Sequence, residues 1–509
     1  MSVTLALDAF ETVKRFPLSA TLWQRLCQLV GQLTPDARHM LTWQIVHQPL
    51  EPGLAEWLRC SVLADLTKDA QWYARQAAEA SEHWPADAVM NLLGLAWHHA
   101  LARAPDRTVL AELLEKVDAP RLLRLLARQL EPPALPEGPR EQRPLRIAIY
   151  TPQLGNETHG STLFTLNVMS ALSEDMAEVQ AFSAQENHIP AIASYHGGTE
   201  SLAPVVVQPE TLRLKRPGEA RFTLTDPQFS LHHRLAQAQN AITAYAPDVV
   251  LFSGFMSPLM YRLHERYPTV GLSVHALPPL VPVDVWLSAE PEAARYWSGV
   301  PEPAALAFPF RFWPKGQAEP IDRVSLGLPA DSTLLISVGY RLEIEMPTPW
   351  IERMCAWLDR HPQVHWLLVG VAETVPMDSL PRHDRIYRVP PQPQIERWLA
   401  ASDIMINPPR AGGGGAAALA MEQGVPVLAL RDSDAGDKLG PFAVDDIDRY
   451  LNTLDEWAAS PERRREVGDA LRTRFHQRLD FSAGAAASGL LSACRQAMHR
   501  FQLRASHRE

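Results

Sequence analysis

The chain has 509 residues, 46% of them hydrophobic and 21% charged, with a formal net charge of -10. That length exceeds what one apolar core serves, so two to four domains are expected, and the acidic balance argues against a general nucleic-acid binder. Cys27, Cys60, Cys355 and Cys494 lie far apart with no CxxC pair, which argues against a disulfide or zinc framework and for a reducing cytoplasm.

The N-terminus, MSVTLALDAFETVKRF, carries acids early and lacks a basic-then-apolar leader pattern. No apolar run is long enough for a membrane span. Over the first 130 residues, apolar side chains recur every three or four positions. LWQRLCQLVGQL, AEWLRCSVLADL and AVMNLLGLAWHHALARAPD each predict an amphipathic helix. The last looks like one helix of a tetratricopeptide pair, with Gly94 at a close-packing point and Pro105 past its end. No clean period of about 34 residues runs through the region, so an irregular or TPR-like helical domain over 1–130 is expected. Then LEPPALPEGPREQRP, residues 130–144, holds five prolines. Proline removes amide donors and fixes φ, so 131–144 reads as a semi-extended, protease-accessible linker that leaves the helical domain separable.

After the linker the pattern changes. PLRIAIYT, EVQAFSA, PDVVLFSG, TVGLSVHA and DVWLSAE are short apolar runs, most of them separated by helical patterns. The proline- and aromatic-rich FPFRFWPKGQAEP interrupts the alternation. A second series follows in TLLISVGY, VHWLLVG, RIYRVP, DIMINP and VPVLALR. Strands alternating with helices predict parallel sheets covered on both faces. Two α/β domains are therefore expected, at 145–317 and 318–480, with a C-terminal helix over 481–509 crossing back to the first.

The most unusual stretch is INPPRAGGGGAAALAMEQG, residues 406–424. Glycine entering a helix costs about 1 kcal/mol against alanine. A ligand approaching the main chain closely would account for four in a row. The run follows the DIMINP strand and opens a helix that Gly424 ends, and ligands of open parallel sheets bind beyond the carboxyl ends of strands. Free amides and the positive end of the helix dipole suit a pyrophosphate there, with Arg410 as a bidentate partner. Close helix–sheet packing is the alternative. No Gly-Lys-Ser/Thr follows the glycines, so this is not the phosphate loop of nucleoside triphosphatases.

The strand, the glycine loop, the helix, then GVPVLAL and DSDAGDKLG resemble the nucleotide-sugar site of GT-B glycosyltransferases, most similar to the O-GlcNAc transferase and HMW1C-like protein glycosyltransferase group. LRIAIYTPQLGNETHGSTLF resembles that group's opening strand and loop, and the likeness spans about 145–480. It implies two facing Rossmann-like domains, a UDP-linked sugar as donor, no metal or other cofactor, and an acceptor that is a protein side chain. By the same analogy, the helical domain presents an acceptor or a partner. Two positions depart from the group. YRLEIEMP offers Arg341 where a lysine usually neutralises the diphosphate, and Leu419 stands where an acid holds the ribose, with Glu422 about a turn away.

On this reading His159, in the first carboxyl-end loop, binds sugar or phosphate or takes the acceptor's proton, the alternative being a loop histidine bonded to backbone. Gly155 and Asn156 flank it, Asn156 serving equally well as a turn residue. His275 ends a strand at the cleft edge or packs there. Arg341 meets diphosphate or pairs with Glu343 or Glu345. Arg410, Gly412, Gly413, Gly414, Gly415 and Glu422 complete the donor side, while Lys438 reads as a solvated surface lysine, the alternative being an approach to phosphate. A non-catalytic subunit that binds a partner enzyme is the reading favoured by Leu419 and the missing lysine. A transferase building surface polysaccharide ranks behind both.

Overall fold

The computed structural model describes the chain except residues 1, 18, 50, 52, 68, 83, 104–106, 135–143, 156–159, 173–176, 187–208, 217, 274–276, 294, 330, 374, 376–379, 411 and 507–509. Eight helices open it: α1 (Val3–Arg15), α2 (Ala20–Gly31), α3 (Pro35–Val46), α4 (Leu54–Thr67), α5 (Gln71–Ala78), α6 (Ala86–Arg103), α7 (Arg107–Lys116) and α8 (Ala119–Arg128). Ser2, Ser19 and Thr34 cap the first three by accepting the amides of Thr4, Leu22 and Ala37. The α8 sequence buries Leu122, Leu123 and Leu126 along one stripe, as its periodicity demands.

The first sheet is built from β1 (Leu145–Tyr150), α9 (Gly160–Leu172), β2 (Ala177–Ser183), β3 (Phe222–Leu224), α10 (Leu231–Tyr245), β4 (Val249–Ser253), α11 (Pro258–Arg266), β5 (Thr269–Leu272), β6 (Val285–Ser288) and β7 (Ala304–Ala307). The strands lie in the order β3-β2-β1-β4-β5-β6-β7, all parallel. The second sheet comprises β8 (Thr333–Val338), α12 (Leu342–Glu345), α13 (Thr348–Asp359), β9 (Val364–Val369), β10 (Ile386–Val389), α14 (Ile395–Ala400), β11 (Ile404–Ile406), α15 (Gly415–Gln423) and β12 (Val427–Leu428). Its order is β10-β9-β8-β11-β12, again parallel. Then come α16 (Gly436–Leu439), α17 (Ile447–Ala459), α18 (Pro461–Arg478) and α19 (Gly484–Ser506).

Strand alternation divides the first sheet's packing. Ile147, Ile149, Leu251, Leu272 and Leu287 face α9 and α19, whose Val168, Leu490, Cys494 and Ala497 cover them. Near its C-terminal end α19 is held to this sheet by Arg504, which pairs with Asp284 at 3.1 Å. Ala148, Tyr150, Val250, Phe252 and Trp286 face the other way. There they join one unbroken apolar core with Phe10, Trp57, Leu92 and Leu122 of the bundle. The Trp97 and Phe255 rings meet at 4.7 Å, and Arg262 donates to the Ala127 carbonyl at 2.8 Å. This shared core argues against the separability read from the proline linker, whose residues 135–143 lie outside the described residues. Proline content reports on backbone freedom between elements, not on whether their surfaces are apolar. The second sheet has a core of its own.

Two crossings join the sheets, and they pair. Phe312 donates to Leu479 O at 3.0 Å, and Phe481 donates to Phe312 O at 2.8 Å. Arg311 is fully buried at this crossing. It donates to the Phe308 and Phe310 carbonyls, and burial pulls its pKa down to about 10 against the opposing charge of Asp437.

The shared core predicts that deleting residues 1–130 exposes apolar surface on α10, α11 and the first sheet. The truncated chain should melt at least about 10 °C lower and bind an apolar dye. An unchanged melting temperature without dye binding would show that the bundle only rests on the domain.

Candidate active site

In the second sheet the strand order reverses between β8 and β11, and the loops leaving those two strands carry Arg341 and the glycine run. Such a reversal opens a crevice at the carboxyl edge of a parallel sheet. The four glycines occupy three different situations. Gly414 caps α15 with φ of 64°, in the left-handed region. A Cβ there would collide with the Asp434 carbonyl and lie 2.9 Å from Lys438 Cε. A Cβ on Gly412 would stand 2.9 Å from Asp434 Oδ2, and one on Gly415 would touch only Phe312, at 3.7 Å. At Gly413 nothing lies within 4 Å. Gly414 is therefore a packing glycine, and Gly413 is the one whose backbone lies open. Behind it runs α15, of nine residues, ended as its sequence demands by Gly424 with φ of 76°.

Arg410 is engaged by the protein itself. It is buried and its guanidinium meets Glu345 Oε2 at 3.0 Å, Asp434 Oδ2 at 3.3 Å, the Val338 carbonyl at 3.0 Å and Asn407 Oδ1 at 3.2 Å. Burial opposes its charge, but Asp434 and Glu345 outweigh that and raise its pKa. The expected diphosphate contact is corrected to a strut, because two carboxylates distant in sequence converge on it. Arg341, at the carboxyl end of β8, donates to Glu345 Oε1 at 2.9 and 2.6 Å while 39% of its side chain stays exposed. Glu345 thus holds both arginines.

Glu422 is also corrected. It lies seven residues into α15, about 10 Å along the axis from Gly415, at the end away from the glycines. Its Oε1 accepts the amides of Lys315 and Gly316, each at 2.6 Å. Burial raises its pKa, and those two amides pull the other way. Next to it Gln423 accepts from Ala318 N at 2.9 Å and donates to Gly316 O at 2.8 Å. Both side chains grip the crossing between the sheets. Lys438, read as solvated, is instead buried, with Nζ 2.6 Å from Asp437 Oδ1 and its aliphatic stem against Gly414.

On the first sheet Gly155 is buried just beyond β1 and donates to Thr162 Oγ1 at 2.7 Å. His159, Asn156 and His275 lie outside the described residues. Among the described residues no three metal-ligating side chains gather, and no helix is long and apolar enough to cross a membrane.

No family model matches the chain. A D-inositol 3-phosphate glycosyltransferase of Thermobifida fusca is 26% identical over an alignment of 251 residues that covers 42% of this chain and 56% of that protein. The chain therefore spans about half the length of the curated relative it matches. Among solved structures, a mutant O-GlcNAc transferase of Thermobaculum terrenum covers 99% of this chain and 98% of its own, at 14% identity and a TM-score of 0.51. The fold is GT-B. The structure of Anabaena HepE with UDP and glucose covers 68% of this chain and all of its own, at 15% identity and a TM-score of 0.46. The GT-B resemblance drawn from residues 145–480 thus holds for the fold, and the structural likeness extends over the helical bundle as well.

The different situations of the glycines separate by mutation. Gly414→Ala should cost about 1–3 kcal/mol of stability from left-handed strain and the Asp434 contact, whereas Gly413→Ala should stay within about 0.5 kcal/mol. Chemical denaturation of both variants measures this, and equal losses would contradict the assignment.

Proposed function

We propose that this chain is a glycosyltransferase that binds a nucleotide-sugar, UDP-linked, in the crevice between β8 and β11 and transfers the sugar to a protein side chain. The observation that carries the reading is Gly413, open beside the N-terminus of α15 at the reversal of the second sheet. There the helix dipole and main-chain donors would take the charge of the leaving diphosphate. Arg341, partly exposed beside Glu345 at the carboxyl end of β8, would add positive charge without a metal ion. Names of similar proteins, a D-inositol 3-phosphate glycosyltransferase and an O-GlcNAc transferase, support sugar transfer. The protein acceptor rests on the family resemblance alone. The four cysteines are free, which supports a reducing compartment.

One observation favours a non-catalytic role. Leu419 packs partly buried against the second core, and Glu422, turned to the crossing, does not replace the missing acid.

Calorimetric titration with nucleoside diphosphates decides between them. Wild type should bind UDP, and Gly413→Asp should weaken it at least ten-fold with little change in melting temperature, since like charges ~4 Å apart repel by about 4 kcal/mol at an effective dielectric near 20. Intact-mass analysis of co-expressed acceptors should then show added hexose or N-acetylhexosamine. No binding of any diphosphate at millimolar concentration would transfer the assignment to the non-catalytic reading.

A further inference from the structure

The first sheet also reverses, between β1 and β4, and a buried polar cluster sits there. Tyr150 is the last residue of β1, Ser257 caps α11 just beyond β4, and Glu186 follows β2. Tyr150 Oη and Ser257 Oγ both donate to Glu186 Oε1, the latter at 2.6 Å. Glu186 is wholly buried, and its Oε2 has no hydrogen-bond partner among the described residues. A buried carboxyl oxygen left unpaired is costly when charged and cheap when it carries a proton.

Its neighbour Gln185 has φ of 50°, a strained conformation for a side-chain-bearing residue. The strain is spent on the loop after β1. Gln185 Nε2 donates to Leu154 O at 3.2 Å, its Oε1 accepts Leu154 N at 3.4 Å, and Glu186 N donates to Pro152 O at 2.7 Å. Arg234 of α10 ties the same turn from below, donating to Ala184 O at 2.9 Å and to Gln185 O. Asp87 of α6, in the helical bundle, lies 4.0 Å from Arg234 and accepts the amide of Leu231 at the start of α10.

We propose that Gln185 and Glu186 are positioning residues that clamp the β1–α9 loop at the reversal of the first sheet, and that the clamp carries an exchangeable proton on Glu186 and is anchored to the helical bundle through Arg234 and Asp87. Among the described residues the groups facing the carboxyl are Tyr150 from β1, Ser257 from α11 and Arg234 from α10, with Asp87 behind the arginine. Burial drives the Glu186 pKa up to about 7, against the hydrogen bonds from Ser257 and Tyr150 and the charge of Arg234. Burial likewise holds Tyr150 far above its usual pKa, so it remains a neutral donor. A raised carboxyl pKa stabilises the fold fully below the unfolded value. That stability is lost as pH rises from about 4.5 through about 7. The clamp thus tightens in acid and loosens above neutrality.

The test uses the full chain and no sugar donor, so its failure is distinct from failure of the transferase reading. Melting temperatures of wild type and Glu186→Gln are compared from pH 5 to 8.5. The wild-type value should fall relative to the variant across that range, because glutamine keeps its neutral form throughout. Ser257→Ala, which removes a hydrogen bond favouring the carboxylate, should move the fall to higher pH, and it serves if Glu186→Gln does not fold. Amide exchange at Leu154 in Gln185→Ala should be about ten-fold faster than in wild type. A melting difference that is constant with pH, a fall unmoved in Ser257→Ala, or unchanged exchange at Leu154 would overturn the proposal.

Discussion

The buried guanidinium of Arg410 is the constraint on which the second domain's carboxyl edge depends. Removing an arginine from water is expensive, and the cost is offset only if every neighbour is placed to meet it. Glu345, Asp434, Asn407 and the Val338 carbonyl do so, drawing the ends of β8 and β11 and the loop beyond β12 onto one point. Asp434 in turn donates its amide to Arg410 O at 2.8 Å and accepts Asn407 Nδ2 at 2.8 Å. With that knot tied, the backbone of the 434 loop comes so close to Gly414 that only glycine fits there. Gly413, one residue earlier, has no such neighbour.

The same helix also reaches the crossing between the two sheets. At one end α15 opens beside Gly413, and at the other Glu422 and Gln423 hold the backbone of residues 315–318. On the first sheet the bundle, α10 and the turn after β2 form a comparable chain of contacts. Both cleft-facing edges are therefore set by elements outside the cleft.

Much of this architecture was legible in the sequence, for identifiable reasons. Runs such as TLLISV and VHWLLV are apolar and bounded by turn residues, so ten of the twelve strands among the described residues could be read directly. The strands not read were β3, three residues of FTL, and β7, AALA, which lacks β-branched residues. Gly424 as a helix stop was legible because a left-handed terminus selects glycine. The fates of charged residues were not. Arg410 finds Glu345 across 65 residues and Glu422 finds Lys315 across 107, and no local pattern encodes such meetings. Lys438 was read as solvated because lysine usually is, yet its stem fills the space that Gly414 leaves. The cluster at Glu186 gave no signal at all, since its members come from three strand ends.

The central claim is that the open backbone at Gly413 meets a nucleoside diphosphate. Amide hydrogen exchange on the full chain, with and without saturating UDP, tests it at the atoms concerned. The account predicts slowed exchange concentrated at residues 413–416, where the amides at the start of α15 would gain acceptors. Exchange unchanged there, or slowed only elsewhere in the chain, would contradict it.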